Sequence, residues 1–494
     1  MKNLKAVIFL KLLFLFTLIA SSCKKEVQVK PSISGVSQEA TILNIGDKLT
    51  LAPNVTNTKG NSYIWLVNGK ETATGQLNYT FQATEAGTFD VTFKVTNKGG
   101  TDQQSFKLIV EKPIVISLAD QLNVSMCNVL EIMPVVTSGP DREDYEYEWS
   151  IGDSIIGKQL KLSFISPEAG TFNLTLRATA GKQSVTYTRK IAVKAEQYVK
   201  NAYTVLEYAP SPGKNHNWSI IGAANNWKYG DEYPLAYNEF LTKAADIRKV
   251  NANAALFLGS WGGSATFKFD HTVANVSGKT DLELTAFCSL RDQPAVYVAY
   301  DHNKNGMPDE NEWYELKNDD FGQEDIPEYE MTFTYNKTET DARRIYSYFN
   351  WRDNQLSPAS GEVITNKTFT SSMTTAGAFS NRGFFPGLNV ADNATKQAVM
   401  LDGWRSSFSR KGKRLSRNLT GAAPFFQKLN LDIDMAVNKR GENIQLPGID
   451  FVKVKKVIYP FQQDLNTGNV MMDYNMEEGR MLQVGSILDK HLKD

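Results

Sequence analysis

The sequence predicts an all-β chain of two small tandem β-sandwiches and one larger β domain, and three observations carry the prediction. Runs of Val, Ile, Phe and Thr alternate with polar residues between turn signals, the period-two pattern of half-buried strands. Two stretches repeat one another: YIWLVNGK (Tyr63 to Lys70) is answered by YEWSIGDS (Tyr147 to Ser154), and FQATEAGTFDVTFKVTN (Phe81 to Asn97) by FISPEAGTFNLTLRATA (Phe164 to Ala180). Beyond residue 195, strand-like runs continue without a βαβ rhythm, which points to a large sandwich or jelly roll.

The N-terminus, MKNLKAVIFLKLLFLFTLIASSC, has Lys2 and Lys5 in a basic start, an apolar run from Leu12 to Ile19, and Ala20, Ser21 and Ser22 before Cys23. That is an export signal over residues 1–22, because the run is too short to span a membrane with margin and no second apolar stretch follows. Residues 23–31 form a linker. The segment resembles a bacterial lipoprotein signal, and the SSCKKE junction is similar to those of Bacteroidota surface lipoproteins. The resemblance implies lipidation of Cys23 and an outer-membrane, cell-surface location. Ala20 stands where Leu is more usual, and ordinary secretion with Cys23 just inside the signal is the alternative.

A repeat of roughly 80 to 85 residues with this texture has the size of an immunoglobulin-like sandwich. It places domains at 32–112 and 113–195, with Trp65 and Trp149 as central core aromatics and each E-A-G-T-F turn feeding the penultimate strand. Cys127 and Cys288 fall in different domains and in apolar surroundings (SMCNVL, TAFCSL), so they predict buried thiols and no intradomain disulfide framework. The repeats resemble PKD domains, at the W-x-[FVL]-[GD] strand from Trp65 to Lys70 and the AGTYTVTLTVTN-like strand from Ala86 to Asn97. That resemblance implies a spacer role.

Residues 196–494 open with EYPLAYNEFLTKAADIRKV (Glu232 to Val250), whose apolar residues recur at three- and four-residue spacings and predict a single helix. Strand-like runs follow: ATFKFDHTV, DLELTAFCSL, AVYVAY, EWYELK, YEMTFTYN, KLNLDIDMAV and GIDFVKVKKVIY. Four stretches, VLEYAPSPG, FKFDHTVAN, DHNKNGMPDENEWYELK and LPGIDFVKV, resemble a family labelled only as cell-surface protein, found in Bacteroidota behind PKD-like domains. The resemblance implies association with uptake systems for glycans or corrinoids. After Val454 the chain departs from the family's usual Gly-Glu and Ser/Thr-rich close.

Within that domain Asp301, Asn303, Asn305, Gly306 and Glu312 fall on the D-x-[DN]-x-[DN]-G-x5-E spacing of a calcium loop, between flanks that alternate like strands. A hard cation takes oxygens: the side chains of Asp301, Asn303 and Asn305, the carbonyl of Met307, a direct or water-mediated contact from Asp309, and a bidentate Glu312. Pro308 has no N–H to bridge a second loop, so a Ca2+ site here stands alone and structural. The other reading is a polar Asn305-Gly306 turn between two strands.

Catalytic signatures are missing from the sequence. His216, His271, His302 and His491 sit in no zinc-binding spacing, and GSWGGS (Gly259 to Ser264) lacks the central Ser of a nucleophile elbow, so it reads as a glycine-rich turn. Carboxylate pairs at Asp432/Asp434 and Glu324/Asp325 stand out from no others. With 54 basic and 54 acidic residues, nothing global points to nucleic acid.

Binding is better supported. Trp218, Trp227, Trp351 and Trp404 have polar, turn-like neighbours, Trp313 follows the calcium-type loop, and Trp261 sits among glycines. Aromatic faces stack on sugars and flat ligands, and Arg352 and Arg405 beside two of them add hydrogen bonds. The basic run Arg405 to Arg417 reads as an exposed hairpin tip or a contact for an anionic ligand. Two functions remain: capture of a glycan or other small-molecule nutrient for a TonB-dependent transporter, and adhesion to a host or matrix macromolecule. A hydrolase, the third reading, requires convergent carboxylates in a cleft.

Overall fold

The computed structural model describes residues 28–37, 39–138, 144–202, 204–212, 255–288, 292–335, 349–358, 360–363, 388–390, 398–400, 407–416, 425–458 and 482–493. Among these residues the protein is built of strands, and its helical segments are the 3-10 turns Glu310–Glu312 and Ile433–Met435. The helix expected over Glu232 to Val250 lies outside the described residues, as does Cys23. No helix among the described residues is long and apolar enough to cross a membrane. The chain divides into two compact units: Met1–Ala119, Met133–Leu160 and Leu174–Arg189 in one, and Asp120–Ile132, Lys161–Asn173 and Lys190–Asp494 in the other.

In the first repeat, a five-stranded sheet runs in the order Thr41–Asn44, Gly100–Glu111, Gly87–Asn97, Ser62–Val67, Lys70–Thr74, and Lys48–Leu51 pairs with Tyr79–Gln82 in a separate two-stranded sheet. The order is set by period two: Val91, Phe93 and Val95 alternate inward, fully buried, on a strand whose intervening residues stay partly exposed. Trp65 has no exposed surface and packs its ring 4.5 Å from Phe93 and 5.3 Å from Tyr79. Its indole N–H, which burial would otherwise orphan, donates to the Gln76 carbonyl at 3.1 Å.

The second repeat reproduces this sheet order with Leu122–Ser125, Gln183–Lys194, Gly170–Ala180, Glu146–Ile151 and Ser154–Gly157. Trp149 is also fully buried and donates to the Gln159 carbonyl at 2.9 Å. In both repeats the E-A-G-T-F turn opens the penultimate strand, and the first strand of the sheet lies parallel to the last.

In the larger unit, a six-stranded sheet has the order Thr204–Ala209, Ser264–Ala274, Gly448–Lys455, Ala295–Ala299, Trp313–Leu316, Ala436–Val437. A four-stranded sheet, Leu256–Gly259, Leu482–Asp489, Leu282–Cys288, Phe425–Leu431, shares one apolar core with it, in which Phe267, Val298, Val452 and Val454 meet Leu258, Leu284, Val484 and Ile487. A second four-stranded sheet runs Ser360–Val363, Phe349–Asp353, Ile326–Tyr335, Ser407–Arg414. The GSWGGS segment is a turn between strands, and it needs its glycines: a Cβ on Gly263 would lie 1.8 Å from the Leu258 carbonyl oxygen.

Two expectations are corrected. KLNLDIDMAV is not one strand, because the Asp432 side chain accepts the Asp434 N–H at 2.8 Å and starts a 3-10 turn instead. The described part of the basic run is no hairpin tip either, since Ser407–Arg414 pairs along Ile326–Tyr335, with Phe408 opposite Phe333.

Candidate functional site

The 301–312 loop joins Ala295–Ala299 to Trp313–Leu316, two neighbouring strands of the six-stranded sheet. Its side chains fold it. Asp301 accepts the Asn305 N–H at 3.0 Å and the Gly306 N–H at 2.7 Å, Asn303 accepts the Asn305 N–H at 3.0 Å, and Asn305 accepts the Met307 N–H at 2.7 Å. Gly306 takes φ +81°, a conformation that glycine adopts without Cβ strain.

Glu312 is buried and uses both oxygens, accepting the His302 N–H at 3.0 Å and the Asp309 N–H at 2.9 Å. With Asp309 it forms a capping box on the short Glu310–Glu312 turn. The loop is tied to the sheet at two points. Asp301 N–H donates to Asp450 at 2.7 Å, and the Lys268 ammonium donates to the Gly306 carbonyl at 2.8 Å. Burial pushes the Asp450 carboxyl above the usual range, against the hydrogen bonds from Thr272 and the Asp301 amide. Among the described residues no group of three or more His, Cys, Asp or Glu side chains is disposed to hold a metal ion.

Strand register places the loop beside a definite sheet face. Lys453 lies opposite Tyr297, which lies opposite Glu315, and Phe451 lies opposite Ala299, which lies opposite Trp313. Period two then puts Trp313, Glu315, Lys453 and Lys455 on one face and the core residues Val452 and Val454 on the other. Trp313 is partly exposed, and the Lys453 ammonium sits 4.6 Å from its ring centroid, a cation–π contact. Glu315 accepts a hydrogen bond from the buried Lys413, and Tyr297, held by burial and by Glu315, has its hydroxyl pKa pushed far up.

The structure separates the other sequence-predicted ligand residues. Trp351 lies opposite Phe333 on the second four-stranded sheet, so its ring shares the face of that buried residue, while Arg352 falls on the opposite, exposed face. One ligand on either face therefore meets one of the pair. Trp261 is buried with its ring 6.0 Å from Phe333. Trp218, Trp227, Trp404 and Arg405 lie outside the described residues. Glu324 and Asp325 line an open cavity of about 500 Å³ with Asp319 and Asp320, whereas Asp434 accepts from Asn275 at 2.9 Å. Sequence reasoning missed Lys453 and Lys455; their alternation in FVKVKK was the available signal.

Residues 30–97 match the family described as PKD-like domain. No curated protein matches the chain. Among solved structures, the Dscam isoform-specificity structure is 14% identical, with a TM-score of 0.22, over 34% of this chain and 46% of that one. The insect immune protein hemolin is 17% identical, with a TM-score of 0.23, over 36% of this chain and 48% of that one. Fibronectin(III)-like modules of Clostridium thermocellum CbhA are 13% identical, with a TM-score of 0.21, over 33% of this chain and 94% of theirs. The chain thus spans less than half of the Dscam and hemolin chains it matches.

Proposed function

We propose that this is a non-catalytic surface lipoprotein, anchored through Cys23, whose C-terminal β domain captures an extracellular glycan, corrinoid or similar nutrient and delivers it to a TonB-dependent transporter. The observation that carries the reading is the half-exposed Trp313 with Lys453 against its ring, at the foot of a loop wired by its own side chains. A stacking ring gains most from a fixed position, because less conformational entropy is lost when the ligand arrives. The PKD-like pair serves as a spacer.

Calcium belongs to the same proposal as a brace. Asp301, Asn303, Asn305, the Met307 carbonyl, Asp309 and Glu312 are the oxygen donors within one loop, and their carbonyl and carboxylate oxygens keep further lone pairs beyond those given to backbone amides. Binding would draw these side chains together around the ion without changing the strands.

The test is a thermal-shift series on the mature chain, chelator-stripped, with and without calcium, against neutral and acidic glycans and corrinoids. A calcium-dependent rise, a further rise with one ligand class, and loss of that second rise in Trp313→Ala support capture. No ligand shift, together with retention on immobilised matrix proteins, would replace it with adhesion.

A further inference from the structure

The face that carries Trp313 and the Ser407–Arg414 strand beside it are rich in lysine, and these lysines are treated unequally. Lys453 lies 3.8 Å from Glu207, Lys411 lies 2.7 Å from Glu328, Lys413 is bonded to Glu315, and Lys268 donates to the Gly306 carbonyl. Lys456, next in sequence to Lys455, is buried and donates to Asp292 at 2.6 Å and to the Val457 carbonyl at 3.2 Å. Lys455 alone of these six has neither a hydrogen-bond nor an ion-pair partner among the described residues, although it is largely buried.

Its position is built. Lys455 lies opposite Ser264 on one side and Ala295 on the other, and its stem runs under the Ser407–Arg414 strand, where Cε comes 3.3 Å from the point a Gly412 Cβ would occupy. The charges acting on it are mostly of its own sign: Lys453, Lys411 and Arg410, against Glu207. Arg410 directs its guanidinium to the carbonyls of Pro210, at 2.9 Å, and Ser409, at 2.8 Å.

An ammonium taken out of water without a partner is costly, and adding like charges around it raises the cost. Burial, and then Lys453, pull its pKa down to about 8. Among the described residues, each neighbouring lysine is paired and this one is left open, an arrangement suited to a negative group.

We propose that Lys455, with Lys453, Lys411 and Arg410 around it, is an oxyanion subsite that receives a carboxylate or sulfate group of the captured ligand. Trp313, two strands away on the same face and adjoining Lys453, then stacks on a ring of the same molecule, which assigns the ligand class as an acidic glycan. The glycan assignment rests on the capture reading; the oxyanion subsite does not. Binding an anion favours the charged amine, so affinity falls as pH rises through about 8.

The test uses the mature chain and Lys455→Met, which keeps the stem's volume; unchanged circular dichroism and a melting temperature at or above that of the wild type verify folding. Affinity electrophoresis is run in gels containing polygalacturonate, chondroitin sulfate or neutral dextran. In parallel, protection of Lys455 from acetylation by sodium sulfate, against sodium chloride of equal ionic strength, is read by peptide mass spectrometry.

The expected result is retardation by an acidic gel and not by dextran, weakened about tenfold in Lys455→Met, with sulfate protecting Lys455. Protection by sulfate without retardation in any gel supports the subsite and removes glycan capture. Retardation in dextran alone, equal in both proteins and without sulfate protection, supports capture and overturns the subsite. An acidic gel that retards both proteins equally also overturns it.

Discussion

His271 shows how one residue gathers distant parts of the chain. Its ring is buried, with Nδ1 2.7 Å from Asp270, Nε2 2.9 Å from Asp489, and the Tyr198 ring tilted by 32° against it at 5.0 Å. Burial alone would lower its pKa, but the hydrogen bonds to Asp489 and Asp270 outweigh it, and the net shift is upward. A raised folded pKa means that the stabilisation is complete below the unfolded value, near 6.5, and is lost as pH rises through the folded value. The stability gap between wild type and His271→Gln, measured by urea unfolding, is therefore expected to be widest near pH 6 and to narrow toward pH 9. A gap that widens with pH would refute the charged-imidazole account. The buried tryptophans give a second expectation at this scale. Trp65→Ala should cost about 3 to 5 kcal/mol of stability in its domain, since it removes a core aromatic and leaves the Gln76 carbonyl without its donor.

At the scale of elements, the 301–312 loop is a turn whose shape depends on two carboxylates. Glu312→Ala strips the His302 and Asp309 amides of their acceptor, and a loss of about 1 to 3 kcal/mol in urea unfolding is expected even in chelator. If calcium binds as proposed, its stabilisation disappears in the same variant. An intact calcium response in Glu312→Ala would place the ion elsewhere. The D-x-[DN]-x-[DN]-G spacing was legible in the sequence because it is local: each Asx side chain reaches the backbone within five residues. What lies beside the loop was not. Asp450, Lys268 and Lys453 meet it or Trp313 only through strand pairing between segments distant in sequence, 38 residues apart for Lys268 and 149 for Asp450, and no local pattern encodes that register.

Across the whole molecule, the two thiols report on the larger unit. Cys127 and Cys288 are free and buried, and burial, the first cause for each, pushes both pKa values up to about 12. Both should resist iodoacetamide at pH 8 in the native protein and react fully in denaturant, as read by mass spectrometry of their peptides. Fast native labelling of Cys288 would mean that the core under Gln427, which donates to its carbonyl at 2.7 Å, opens readily.

By itself the sequence determined the all-β class, the tandem repeat, the inward tryptophans and the Asx-folded turn at 301–312, because period-two burial and local side-chain capping act over a few residues. Only the tertiary structure decided that Trp351 and Arg352 part to opposite faces, that Trp313 stands beside Lys453, and that Lys455 has no hydrogen-bond or ion-pair partner among the described residues. Those outcomes depend on which strands pair and in what register, and that is fixed by the packing of a core drawn from residues 202 to 487, not by any single stretch.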